Sequence, residues 1–143
     1  MREIKTEIEI LAPAAKVWDI LADFGAWEEW NPIVDRVSGT ASLGSRLEVT
    51  MCGKNGKAGP KFKPYLTVFE KPKSFRWRGK MMAESLFTND KVLELVENGS
   101  GTRLIHKEMF SGLLAPLFWG KLNRFVPPML QSMNEALKKR AEK

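Results

Sequence analysis

His106 and Glu108 are the residues of this chain best suited to chemistry. They stand two apart in a stretch whose alternation puts Thr102, Leu104, His106, Glu108 and Phe110 on one side of a β-strand. Leu104 and Phe110 make that side the inward one, so an imidazole and a carboxylate are expected inside the protein. Such surroundings can bring either pKa toward neutrality. The pair could then serve as general acid and base in an aldol cyclisation, a dehydration or a hydrolysis. Alternatively the two hydrogen-bond to one another, to Asn31 or to cavity water, and orient the polar head of a bound molecule. We adopt the binding role, with catalysis as the alternative.

Other chemistries lack their residues. One histidine and one cysteine, Cys52, with no paired ligand spacing, speak against a metal centre. Cys52 has no internal disulfide partner and no flanking base to activate its thiol. There is no glycine-rich phosphate loop or dinucleotide fingerprint, so no cofactor is expected. The net charge of +6 is concentrated in Lys54, Lys57, Lys61, Lys63, Lys71, Lys73, Arg76, Arg78 and Lys80, answered within that segment only by Glu70. A concentrated positive field attracts polyanions. No helix-turn-helix, zinc-finger or RNA-binding aromatic signature accompanies it, so the segment reads as a solvated sheet face rather than a nucleic-acid site. Used instead as a protein-docking face, it would make the domain an adaptor sensitive to charge reversal at Lys61, Lys63, Arg76 and Arg78.

The elements that must position His106 and Glu108 follow from periodicity. Ile4, Thr6, Ile8 and Ile10 alternate with charges as a half-buried strand. Pro13 opens a short helix over Ala14 to Asp23, and Trp27 to Trp30 makes a second, ended by Asn31-Pro32. Strands are then expected over Ile33 to Ser38, Arg46 to Met51, Lys61 to Glu70, around Phe75 and Trp77, over Leu86 to Glu97 and over Thr102 to Phe110, with a loop from Gly53 to Pro60. From Ala115 to Lys143, Leu117, Leu122, Phe125, Val126, Met129, Met133 and Leu137 recur at helical spacing. That helix would span about 40 Å at about 1.5 Å per residue, with a kink or break at Pro127-Pro128. The chain, 1–143, reads as one α+β domain: a seven-stranded curved antiparallel sheet wrapped around a long C-terminal helix, with two short helices between strands one and two. Without an apolar leader or spanning segment, it reads as cytoplasmic.

That order, with Ile10-Leu11-Ala12-Pro13, Val17-Trp18, Leu21-Ala22-Asp23, Trp30-Asn31-Pro32, Gly101-Thr102-Arg103, His106-Lys107-Glu108, Phe110-Ser111-Gly112, Met133-Asn134 and Ala136-Leu137-Lys138, resembles the START-like, or polyketide cyclase/dehydrase-like (SRPBCC), branch of the Bet v 1 superfamily from end to end. The resemblance implies a helix-grip fold with an apolar cavity between sheet and helix. Leu47, Val49, Phe62, Leu66, Phe75, Trp77, Leu93 and Leu95 would line its sheet side and Phe125, Met129 and Met133 its helix side, with His106, Glu108 and Phe110 from the last strand. Ordinary core is the competing reading of the same stripe. Trp27, Trp30 and Asn31 would form a lid over the mouth or plug the short helices onto the sheet. The expected function is binding or carriage of a small-to-medium apolar ligand, lipidic, aromatic or polyketide-like. The alternative is a cyclase/dehydrase using His106 and Glu108. The apolar connector Gly112 to Gly120 could be an entrance flap, a dimer contact or a patch that touches anionic membrane during ligand pickup.

Overall fold

Alternating apolar and charged side chains fold the first and last strands against each other. The computed structural model describes residues 2–54, 57–80, 83 and 85–143. The order is β1 (Arg2–Ile10), α1 (Ala14–Ala22), a 3-10 turn (Phe24–Glu29), β2 (Val34–Ser38), β3 (Glu48–Met51), β4 (Lys61–Phe62), β5 (Tyr65–Glu70), β6 (Ser74–Lys80), β7 (Thr88–Asn98), β8 (Gly101–Ser111) and α2 (Ala115–Ala141). A five-stranded antiparallel sheet runs β1-β8-β7-β6-β5 and a three-stranded one β2-β3-β4. The two adjoin where Leu47 N donates to the Pro64 carbonyl and Leu66 N to that of Ser45.

Among the described residues eight strands therefore stand where seven are expected. The extra one arises at Lys63-Pro64: proline has no N–H to give a ladder, so the single strand expected over Lys61 to Glu70 divides into β4 and β5. Residues 55 and 56 of the expected loop lie outside the described residues.

Of the kink or break expected at Pro127-Pro128, the break does not occur. α2 runs unbroken from Ala115 to Ala141 through Pro127 and Pro128. These prolines remove the donors that the carbonyls of Asn123 and Arg124 would meet, but both residues are exposed, where water can serve those carbonyls. The far end of α2 is tied down: Lys138 Nζ donates to the Glu9 carbonyl and Leu11 N to Glu142 Oε2. Its near end follows Gly112, held at φ +104°, where an added Cβ would lie 2.4 Å from the Leu86 carbonyl oxygen. Only glycine fits that bend, which aims α2 across the sheet.

Two apolar clusters flank the middle of α2. The larger holds α1, the 3-10 turn, β2, β3 and the inner faces of β5 to β8 against Met133, Leu137 and Ala141. The smaller gathers Ile4, Phe87, Phe110, Ala115, Val126 and Leu130. No helix among the described residues is long and apolar enough to cross a membrane.

Candidate functional site

The grip is hollow in one half and solid in the other. Along the sheet, side chains stand in levels set by register: Trp77 opposite Lys91 opposite Glu108, and one level deeper Phe75 opposite Leu93 opposite His106. A cavity of about 560 Å³ occupies the upper levels. From the sheets it is walled by Ile33, Val34, Met51, Phe62, Trp77, Asn89, Lys91, Glu108 and Phe110, and from α2 by Leu122, Val126, Met129 and Leu130, with Phe87 beside them and Lys61 and Lys80 also on its lining.

Five of the side chains expected on the wall from sequence therefore line the hollow: Phe62, Trp77, Glu108, Phe110 and Met129. Leu47, Val49, Leu66, Phe75, Leu93, Leu95 and Met133 belong instead to the packed cluster below it. Phe125 points away, 55% exposed, because the helical stripe that meets the sheet runs through Val126 and Leu130. Trp30 borders a separate shallow hollow beside Asp19 and Arg140. Trp27, with no exposed surface, plugs the 3-10 turn into the core and donates to the Leu21 carbonyl. Asn31 Oδ1 accepts from Ile33 N and Val34 N, fixing the turn into β2, while Asn31 Nδ2 and Trp30 Nε1 are buried without a partner.

His106 is fully buried on β8, but it is not paired with Glu108 or Asn31. Its partners are Lys91 Nζ at 2.7 Å from Nε2 and Asn134 Oδ1 at 2.7 Å from Nδ1. The proton positions follow from one forced bond. Thr6 hydroxyl donates to the His106 carbonyl (3.0 Å), so Thr6 Oγ1 must accept from Asn134 Nδ2 (2.8 Å). Asn134 Oδ1 therefore faces the ring and can only accept, so Nδ1 carries the ring proton. Nε2 is left to accept from Lys91. Burial, then the Lys91 charge, holds the His106 pKa well below its usual 6.5, with the Asn134 bond acting the other way. The ring is neutral and both nitrogens are committed, so it stands behind Lys91, outside the cavity lining, rather than as a free acid or base.

Lys91 is the residue that the sequence reading missed. It is 3% exposed on the inner face of β7, lines the cavity, and has Glu108 Oε1 at 3.8 Å. Burial pushes its pKa down while Glu108 pulls it up. Parity with Leu93 and Leu95 was the available signal. The hollow is thus mostly apolar, with the Lys91–Glu108 pair set into its wall and Asn89 and two further lysines also on its lining.

The outer face is less basic than the sequence suggests. Arg76 and Arg78 both bond to Asp90, a carboxylate with 4% of its side chain exposed. Burial raises the Asp90 pKa, but hydrogen bonds from Arg78 and Arg76 outweigh this and leave it lowered. Cys52 is exposed, and partial burial followed by the Asp35 charge pushes its thiol up, away from thiolate chemistry. No cluster of three metal-ligating side chains occurs among the described residues.

Known proteins share this architecture. The two-domain aromatase/cyclase StfQ of the steffimycin biosynthetic pathway superposes with a TM-score of 0.78 at 11% identity over 98% of this chain and 50% of its own, so this chain spans half of that protein. The Zhui aromatase/cyclase from Streptomyces sp. R1128 gives 0.77 at 16% identity, covering 99% and 93%. Norcoclaurine synthase from Thalictrum flavum, a point mutant with a transition-state analogue, gives 0.73 at 14%, covering 98% and 93%. No curated protein matches by sequence. At such identities these structures establish the fold alone. The family described as polyketide cyclase/dehydrase and lipid transport matches residues 1–142, and the chain belongs to that family, with its Bet v 1-like helix-grip fold.

Proposed function

We propose that this domain binds and carries a small-to-medium apolar molecule, lipidic, aromatic or polyketide-like, in the hollow half of the grip. The observation that supports this is a cavity of about 560 Å³ whose wall is apolar apart from Lys91, Glu108, Asn89 and two further lysines. That volume falls within the range of small-molecule sites, which enclose most of a ligand's surface and fix its orientation with a few polar groups. Native mass spectrometry of protein freshly purified from its host, followed by extraction, should yield a co-purifying apolar compound. Added apolar probes should also change the fluorescence of Trp77 on the wall. Repeated failure of both would overturn the reading.

A cyclase/dehydrase activity is the second reading. It is favoured by the placement of Lys91 and Glu108 on the wall, and it assigns acid–base work to that pair instead of to His106.

Delivery and pickup at an anionic membrane surface fit the outside of α2. Leu113, Leu117, Lys121, Phe125 and Met129 recur every four residues, and the four apolar ones are 78%, 74%, 55% and 37% exposed. Lys121 and Arg124 lie in this segment, and no acidic residue occurs from Gly112 to Asn134. Met129 belongs both to this row and to the cavity wall. The protein should sediment with vesicles containing acidic lipid at low salt, much less with neutral ones, and Phe125→Glu should weaken that association. Equal binding to both vesicle types, or none, would exclude the membrane step.

A further inference from the structure

Lys91 has a placement that holding a ligand does not require. A buried amine stands on the wall of a mostly apolar cavity, its Nζ 2.7 Å from an imidazole nitrogen that can only accept and 3.8 Å from a carboxylate. The string Thr6, Asn134, His106 fixes that acceptor whether the lysine is charged or neutral. The ammonium has three N–H groups and the neutral amine two, and either state gives one to His106 Nε2. The neutral amine then keeps one N–H and a lone pair on a residue that lines the hollow.

We infer that Lys91 captures apolar aldehydes and ketones as imines, an activity that rests on reading the cavity as a ligand site. The Nζ lone pair attacks the carbonyl carbon while the C=O π electrons move to oxygen. Nitrogen loses a proton and oxygen gains one, giving the carbinolamine. Nitrogen's lone pair then forms the C=N bond, the hydroxyl leaves with a proton as water, and the last N–H proton is released. Amine plus carbonyl give imine plus water, with no oxidant or reductant. Glu108 is placed to carry these protons, accepting as the carboxylate and returning one to the departing hydroxyl. His106, Asn134 and Thr6 act as positioning residues. Burial lowers the Lys91 pKa, and each unit of lowering raises the fraction of neutral amine about tenfold over a surface lysine. The apolar wall selects what reaches it.

The test is reductive trapping on the whole protein. Intact protein is incubated at neutral pH with cinnamaldehyde or decanal and sodium cyanoborohydride, and adducts are located by peptide mapping. Label should appear on Lys91 about tenfold or more faster than on surface lysines. Decanol, an apolar alcohol that cannot form an imine, should block it. Lys91→Arg should abolish the adduct, and Glu108→Gln should slow it by about 10²-fold. Should either variant fail to fold, the wild-type map decides alone. Label spread over surface lysines without enrichment at Lys91, or Lys91 label indifferent to decanol, overturns the inference. If decanol alters Trp77 fluorescence while Lys91 stays unlabelled, the imine falls and the ligand site stands. If decanol neither binds nor protects, both fall.

Discussion

Trp77→Ala should lower stability by about 3–5 kcal/mol, a large part of the 5–15 kcal/mol that holds a domain of this kind together. The indole is 1% exposed and packs against Trp27, Phe62 and Phe75 at centroid separations of 5.8, 6.0 and 5.4 Å. One flank belongs to the solid cluster and another faces the hollow, so truncation removes packing on the first and enlarges the second. In urea the midpoint should fall with the slope unchanged. Trp77→Phe should cost less and shift preference toward bulkier guests. A loss below about 1 kcal/mol for the alanine variant would mean that the ring is not the keystone between core and cavity that its contacts describe.

Wild-type stability should decline on acidification because of His106, and a variant without the imidazole should be spared this component. The unfolded histidine titrates near 6.5, whereas the folded ring, buried and facing the Lys91 charge, refuses the proton until well below that. Above 6.5 both states are neutral and the linkage is flat. Below it the unfolded chain binds a proton that the fold excludes, so stability falls as pH falls. The slope approaches about 1.4 kcal/mol per pH unit and continues to the folded pKa. The groups bonded to the ring are Lys91 from β7 and Asn134 from α2, the latter held by the Thr6 hydroxyl from β1. Unfolding free energies of wild type and His106→Gln between pH 7.5 and 5 isolate this contribution, since the constant cost of the substitution drops out of the slope. Parallel curves would show that the ring is not held neutral in the fold.

The sequence carried the architecture because its strongest signals are local. Alternation along β8 puts His106, Glu108 and Phe110 on one face, helical spacing marks α2, and Gly112 ends the last strand. The errors have long-range causes. Which stripe of α2 faces the sheet depends on packing between elements, so Phe125 and its neighbour Val126 could not be separated by spacing alone. Arg76 and Arg78 looked unanswered because their partner, Asp90, lies on the next strand, 14 and 12 residues away. Lys91 shares the inward parity of Leu93 and Leu95, but a charge in that position argues against burial unless its partners are known. Those partners, His106 and Glu108, lie across the β7–β8 pairing. The solid half of the grip was not distinguishable from the hollow half because both are lined with the same residue types.

Lys91, with His106, Asn134 and Thr6 bonded in a string behind it, limits what can be taken in. The polar atoms of that string are already hydrogen-bonded, and Leu93, Leu104, Met133 and Leu137 belong to the packed cluster. A guest that grows by successive methylenes gains about 0.8 kcal/mol for each one sheltered, and nothing once its end meets this layer and the surplus hangs into water. The domain would then gauge its guests by reach, with affinity along a homologous series climbing to a plateau.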